Sequence, residues 1–367
     1  MTTLKRSVVG CMTGTSLDGL DVALVEIEGR GLDMTPRFVR GLSVPLGSVG
    51  PVLRRAAEQT PMPAGEIARA ALELGELHAG AVGELLAGTA CDLVCVHGQT
   101  VFHKPPVSWQ VINVFPIARA LRTPVVFDLR QTDLASGGQG APITPIADAI
   151  WLRGVRRPWA VVNLGGFCNV TRGGGGGGVA SRLGDILAGD VCTCNQLLDC
   201  VAREVLGCPF DDGGSHARRG SVNAAALAEL SRILAAQHSA GRSLGTGDEA
   251  GDWVRRHRGA VSGPDLAATA CEGIAARLVE SVPGASELYL AGGGERNAGL
   301  VGAIAKIAAD GTGARVRRLA EIGLPGEFRE AADFAVLGAL CQDRVPITLP
   351  GVTGCRTASL SGAWVLP

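Results

Sequence analysis

The sequence predicts an α/β protein built in two lobes, and three observations carry that prediction. The chain has 367 residues, 46% of them hydrophobic and 19% charged. That is long enough to make two domains the natural division and apolar enough to fill a core in each. Short apolar runs recur in both halves, and each gives way to a Gly-rich turn bearing Asn, Asp, Thr or Ser. The pattern restarts at Trp159, after the basic, turn-forming stretch RGVRRP at 153–158.

Residues 8–26, VVGCMTGTSLDGLDVALVE, read as strand, tight polar turn, strand. The tip holds Thr13, Gly14, Thr15, Ser16 and Gly19, with carboxylates at Asp18 and Asp21. Glycine lets backbone approach a bulky anion, and successive N–H groups in such a turn make an anion-binding concavity. An aspartate beside it suits Mg²⁺, which takes oxygen ligands and keeps most of its water. An ordinary Gly/Asp hairpin turn is the competing reading for this stretch alone.

Residues 38–44 form a further strand. Apolar residues then recur at helical spacing through 67–86 (Ile67, Ala71, Leu74, Leu77, Val82, Leu85), which predicts an amphipathic helix. Residues 91–96, CDLVCV, read as a buried parallel strand ending at His97-Gly98-Gln99-Thr100. Residues 121–129 are a strand ending at Asp128-Leu129-Arg130. Polar groups at strand ends are where open α/β sheets usually build sites. The Gly- and Pro-rich stretch SGGQGAPITPIAD, 136–148, is expected to be irregular, either a functional loop or a connector. A short helix over 148–152 precedes the boundary.

In the second half, WAVVNL (159–164) is a strand ending in Gly165-Gly166 and Asn169. The six-glycine run 173–178 reads as a hairpin tip without the order of a phosphate cradle. DVCTCN, 190–195, precedes a helical run over 196–206; 208–220 is loop and 222–237 an Ala/Leu helix. Residues 242–248 are polar and glycine-rich. A helix over 264–282, with Pro at its first turn, leads to a strand at 287–290. That strand ends at Gly292-Gly293-Gly294-Glu295-Arg296-Asn297. A last long helix covers 330–341 and a tail 352–367. The expected division is a first lobe over 1–155 and a second over 156–344, with 345–367 a candidate to pack back on the first.

Net charge is −1, which gives no electrostatic case for nucleic acid or an anionic membrane. There is no signal-peptide core and no segment long enough to span a bilayer, so a cytoplasmic protein is expected. Most of the eleven cysteines lie in or beside apolar runs and read as small buried hydrophobes. The cluster Cys192, Cys194, Cys200 and Cys208 fits no zinc spacing. Neither a helix-opening GxGxxG nor a GxxxxGK[ST] occurs, so neither a Rossmann fingerprint nor a P-loop is available. What fits is a two-lobed fold closing on nucleotide phosphates with two turns, plus a third turn for the nucleoside. That is the design of the actin, sugar kinase and heat-shock ATPase superfamily, with an interdomain cleft and a ribonuclease H-like fold.

The motifs GCMTGTSLDGLD, VHGQTVFHKP, VVFDLRQTDLASGGQGAPITPIAD, VVNLGGFCNVT, LYLAGGGERN, EAADFAVLGAL and LPGVTGCRTASLSGAWVLP occur in that order along nearly the whole chain. In them the sequence resembles the anhydro-N-acetylmuramic acid kinases. The resemblance implies an ATP- and Mg²⁺-dependent kinase of peptidoglycan recycling. Such a kinase phosphorylates the 6-hydroxyl of 1,6-anhydro-N-acetylmuramic acid while water opens the anhydro bridge, giving N-acetylmuramic acid 6-phosphate and ADP. It also implies a homodimer acting on a small anhydrosugar. Met12, Thr13, Gly14, Thr15, Ser16, Leu17, Asp18 and Gly19 would hold the β- and γ-phosphates, with Asp18 on Mg²⁺. Asn163, Gly165 and Gly166 would make the second phosphate turn, and Gly292, Gly293, Gly294 and Asn297 the nucleoside turn.

His97, Gln99 and Asp128 are candidate sugar contacts, and Arg130 a candidate for the lactyl carboxylate, since Arg pairs bidentately with carboxylates. The competing readings are a packed histidine and an Arg130–Asp133 pair. By position Asp190 takes the family's general-base role, although DVCTCN stands where the family has DTGPGN. A second departure is Arg242-Ser243, where the family prefers a Pro-Pro-Lys-Ser-like run. Glu330 is given no catalytic role. A levoglucosan-type anhydrosugar kinase and a non-catalytic nucleotide-binding sensor are the alternatives.

Overall fold

The computed structural model describes residues 4–239, 244, 247–248 and 250–367; Arg242 and Ser243 lie outside the described residues. Its contacts divide the chain into two compact units. One comprises Met1–Gly154, Gly177–Ile186 and Phe328–Pro367, the other Val155–Gly176 and Leu187–Glu327.

In the first unit, β1 (Lys5–Thr13), β2 (Leu20–Glu28) and β3 (Thr35–Val44) form an antiparallel meander. The short strands β4 (Leu93–Val96) and β7 (Val125–Phe127) extend it in parallel, β4 beside β1 and β7 beside β4. All four residues of β4 are buried, as expected of a strand covered on both faces. Between these two strands, β5 (Gln99–Lys104) and β6 (Val107–Val111) form a separate hairpin. The helix Ala64–Leu86 lays Leu74, Val82 and Leu85 into the core over this sheet.

The second unit repeats the arrangement. β8 (Trp159–Leu164), β9 (Phe167–Gly173) and β10 (Leu187–Thr193) form the meander, with β11 (Glu287–Ala291) parallel to β8 and β12 (Arg315–Arg318) parallel to β11. The helix Gly263–Ser281 packs Leu266, Ile274 and Leu278 into this unit's core, and Ser262 caps it by accepting the Asp265 N–H.

The chain then returns to the first unit. The helix Arg329–Gln342 is buried along nearly its whole length and packs on β1. Gly10 permits this, since a Cβ there would fall 1.9 Å from the Ala331 carbonyl oxygen. Arg329 is carried into that interior because its guanidinium forks onto Asp148, with Nε to Oδ1 at 2.9 Å and Nη2 to Oδ2 at 2.5 Å. Finally β13 (Ala363–Val365) closes the first sheet antiparallel to β7. This duplicated α/β topology is the actin-like ATPase fold class expected from the sequence.

Several elements differ from expectation. The strand anticipated at 121–129 is three residues long, because Phe115–Leu121 is a helix opened by Pro116 at its first turn. The irregular stretch 136–148 runs at Pro145 into the helix Pro145–Trp151 for the same reason. The glycine run leads through Gly178 into a four-residue helical turn, Val179–Arg182, and the helical run at 196–206 is Asn195–Val201 followed by a π turn, Ala202–Leu206. Residues 328–344, expected in the second lobe, belong to the first unit, as do 177–186. No helix among the described residues is long and apolar enough to cross a membrane.

Candidate active site

β1 and β2 stay in register to Thr13 opposite Leu20, so the tip is the six residues 14–19. Leu17 N–H closes on the Gly14 carbonyl at 3.1 Å, with Leu17 in the left-handed region at φ 59°. Its side chain is buried, which anchors the turn and leaves Thr15, Ser16 and Asp18 exposed. Arg54, on the helix Val49–Ala57, supports the tip by donating to the Ser16 carbonyl at 3.3 Å. The sequence reading missed this helix and this contact.

The end of β4 is bound to this hairpin. His97 N–H donates to the Cys11 carbonyl at 3.1 Å, and Thr13 Oγ1 donates to the Gly98 carbonyl at 2.9 Å. Gln99, fully buried, donates from Nε2 to the carbonyls of Gly14 and Thr100, each at 3.2 Å. It therefore lies at the base of the tip and not in the adjoining cavity. That cavity, about 210 Å³, is lined by His97 and Asp128 together with Trp109, Gln110, Phe127 and Gln131.

Arg130 is tied to His97 and to the loop beyond it. Its Nε and Nη2 donate to His97 Nε2 at 3.1 and 2.9 Å, and its Nη1 donates to the Gly140 carbonyl at 2.7 Å. The direct partners of Asp133 are Gly140 N–H and Thr353 Oγ1, each at 2.7 Å. Burial first, then the Arg130 charge, hold the His97 imidazole well below its ordinary value, against a smaller opposing effect of the Gly98 backbone. Asp128 stands at φ 56° with its carboxyl raised by burial. Glu330 is raised by burial too, with Arg329 opposing and the Asp21 and Arg130 charges nearby.

In the second unit, the Gly165 and Gly166 carbonyls accept Asn195 N–H and the N–H groups of Cys194 and Gln196, at 2.9–3.1 Å. The second expected phosphate turn thus holds the start of the helix Asn195–Val201. Asn195 Nδ2 donates to the Leu164 carbonyl at 3.0 Å. Gly292, at φ 82°, packs so close that a Cβ would come within 2.6 Å of Asn163 Oδ1. The two turns expected for phosphate and nucleoside are therefore neighbours. Asn297 Oδ1 caps the helix Ala298–Gly311 by accepting Leu300 N–H at 3.0 Å.

Asp190 lies inside β10, opposite Asn169, beside a register shift between Asp190 and Cys192. The helix after it starts at Asn195, so Asp190 is not its cap. Its Oδ2 accepts Leu244 N–H at 2.7 Å. Burial raises its carboxyl, Leu244 N–H opposes, and the Asp248 charge adds to the rise. Cys192 and Cys194 are core residues, fully buried. Burial pushes the Cys192 thiol up to about 12 and holds Cys168 and Cys194 well above the ordinary thiol range, so these groups stay protonated. No group of three or more His, Cys, Asp or Glu that could hold a metal occurs among the described residues. A single exposed carboxylate such as Asp18 does fit Mg²⁺, which typically binds one or two carboxylates plus substrate phosphates and water.

The family model described as anhydro-N-acetylmuramic acid kinase matches residues 6–367. Curated relatives carry the same name. One from Rhizorhabdus wittichii is 34% identical, covering 95% of this chain and 96% of its own. One from Gloeobacter violaceus is 34% identical over the same shares, 95% and 96%. One from Salinibacter ruber is 31% identical, covering 99% of this chain and 97% of its own.

Proposed function

The chain belongs to the anhydro-N-acetylmuramic acid kinase family, and from that premise we propose its reaction. With ATP it phosphorylates O6 of 1,6-anhydro-N-acetylmuramic acid while water opens the anhydro bridge, giving N-acetylmuramic acid 6-phosphate and ADP. The observation that carries this is the match of the family model from residue 6 to residue 367. Neither the levoglucosan nor the non-catalytic alternative has an observation in its favour.

Phosphoryl transfer needs in-line positioning and charge neutralisation more than covalent chemistry. In the first unit, the tip at 14–19 supplies backbone N–H groups and the hydroxyls of Thr15 and Ser16 to the β- and γ-phosphates. Asp18 would hold Mg²⁺, which when bound neutralises charge on the phosphoryl oxygens. His97 and Asp128 hydrogen-bond the sugar. Arg130 fixes His97 with two of its five N–H donors and gives a third to the Gly140 carbonyl, and the remaining two are offered to the lactyl carboxylate. In the second unit, Asn163, Gly165 and Gly166 border the phosphates, and the backbone of 292–294 forms the nucleoside turn that Asn297 stabilises as a cap.

Asp190 acts as general base. It takes a proton from water as the water oxygen bonds to C1; the C1–O6 bond breaks, and O6 bonds to the γ-phosphorus as ADP leaves. A carboxylate base on the face opposite the leaving oxygen is the inverting arrangement of glycoside hydrolysis. The captured phosphoryl group makes a separate acid unnecessary. The protein is proposed to act as a homodimer in the cytoplasm. Sugar-dependent ADP release by the purified protein tests the reaction: release with 1,6-anhydro-N-acetylmuramic acid is expected, and no release above the sugar-free rate refutes it. Light scattering at working concentration tests the dimer.

A further inference from the structure

The cavity at the end of β4 holds more than the two sugar contacts the sequence suggested. His97 is 5% exposed, and its Nδ1 has no hydrogen-bond partner. Because Nε2 accepts from Arg130, the neutral ring carries its one proton on Nδ1. A buried donor left without a partner is costly unless a ligand completes it. Gln110 repeats the signal: its Nε2 donates to Ser108 Oγ at 2.8 Å and Thr100 Oγ1 at 3.2 Å, while its buried Oε1 is unpartnered. Trp109, 49% exposed on β6, lines the same cavity.

The position of that indole is set by its backbone. A two-stranded hairpin is marginal by itself, but β6 is pinned to the rest of the unit by Gln131 Nε2 donating to the Ser108 carbonyl at 2.8 Å. Ser108 turns inward, so the strand's alternation turns Trp109 outward. A half-exposed tryptophan lining one cavity of about 210 Å³ with His97 and Asp128 has the composition of a small-molecule site, an aromatic wall with a few polar groups. The ring hydrogens on one side of a pyranose carry partial positive charge, which the negative face of an indole attracts.

We propose that Trp109 is a specificity-determining residue for the sugar. Its indole is the wall on which the apolar side of the pyranose packs, while His97 Nδ1–H and Asp128 take the polar groups. This rests on the kinase reading above. The test is Trp109→Ala and Trp109→Phe in the full chain. Michaelis constants for 1,6-anhydro-N-acetylmuramic acid and for ATP are measured, with thermal midpoints and with tryptophan fluorescence titrated by the sugar without nucleotide. The Ala variant should raise the sugar constant by roughly 5- to 150-fold, the loss seen when the ring that stacks a nucleic-acid base is removed. The ATP constant and thermal midpoint should stay near wild type. The Phe variant should keep most of the affinity and lose the sugar-induced fluorescence change.

A sugar constant within twofold of wild type in the Ala variant, or equal rises for sugar and ATP, overturns the inference while the wild-type turnover keeps the kinase reading standing. No ADP from the wild type with this sugar overturns both. If the Ala variant fails to fold, the Phe variant decides, since an undiminished fluorescence response there places the sugar away from Trp109.

Discussion

Asp190→Asn separates chemistry from structure. The carboxyl sits within β10, its Oδ2 accepts one backbone N–H from Leu244 at 2.7 Å, and it caps no helix. Asparagine keeps an oxygen in that place and can accept the same hydrogen bond, so the stability change is expected to be at most about 1 kcal/mol. What disappears is basicity. A positioned general base contributes roughly 10²- to 10⁴-fold, about 2.7 to 5.4 kcal/mol of barrier. Sugar-dependent ADP release should fall by that factor while nucleotide binding, followed by calorimetry, is retained.

The wild-type pH profile gives a second readout on the same residue. Burial raises the Asp190 carboxyl, so the active, deprotonated form is lost at a higher pH than for an ordinary aspartate. The acidic limb of kcat should therefore lie at higher pH than an ordinary aspartate would set. A rate in the Asn variant within threefold of wild type would refute the base assignment, whatever happened to stability.

Asp18→Asn should lower turnover by orders of magnitude with an unchanged thermal midpoint, because the side chain is exposed at the tip; unchanged activity at limiting Mg²⁺ would remove its metal role. Arg130→Ala should raise the Michaelis constant for 1,6-anhydro-N-acetylmuramic acid more than that for levoglucosan, by about 2–5 kcal/mol for a desolvated charged contact. Equal penalties would mean that Arg130 acts only through His97. Burial, then the Asp148 charge, hold Asp333 well above the ordinary carboxylate value, so the native state retains a proton the unfolded chain releases. The stability it contributes is full below the unfolded carboxylate value and is lost as pH rises toward the folded value. Asp333→Asn should therefore gain on wild type by up to about 1.4 kcal/mol per pH unit across that window; urea melts with parallel pH slopes would contradict it.

Local pattern made part of the fold legible. Apolar runs on either side of TGTSLDG give β1 and β2, and WAVVNL gives β8 residue for residue. Strand β12 was invisible because its sequence is RVRR: it earns its place by pairing with β11, and Arg317 is held by Glu287 at 2.6 Å across that pair. Strands β9 and β10 were hidden by the glycine run between them, and β5 with β6 by the Pro105-Pro106 turn. At the site, the residue types were readable but the directions of their side chains were not. Gln99 and Gly14 are 85 residues apart, and no local spacing indicates that the amide of one holds the carbonyl of the other. Asn297 did carry a local signal, since asparagine immediately before an Ala/Leu run is a helix cap.

The inward-turned groups of His97-Gly98-Gln99 tie the hairpin tip, proposed for phosphate, and the adjoining cavity, proposed for the sugar, into one piece. Three contacts cross from this turn to β1 and the tip: His97 N–H to Cys11, Gly98 carbonyl to Thr13 Oγ1, and Gln99 Nε2 to Gly14. All three involve buried groups, where satisfied hydrogen bonds rigidify. On its other side the same turn presents the imidazole edge, oriented by Arg130, to the cavity. A shift of the tip would therefore carry the cavity wall with it. In-line transfer to O6 tolerates little misplacement, since an error of about 1 Å can cost on the order of 10²-fold. A fixed strap between the two subsites meets that demand without a residue that touches both. On this account Gln99→Leu should disturb the sugar and ATP constants together, although the side chain faces neither ligand; an effect confined to the sugar would return Gln99 to the cavity and dissolve the strap.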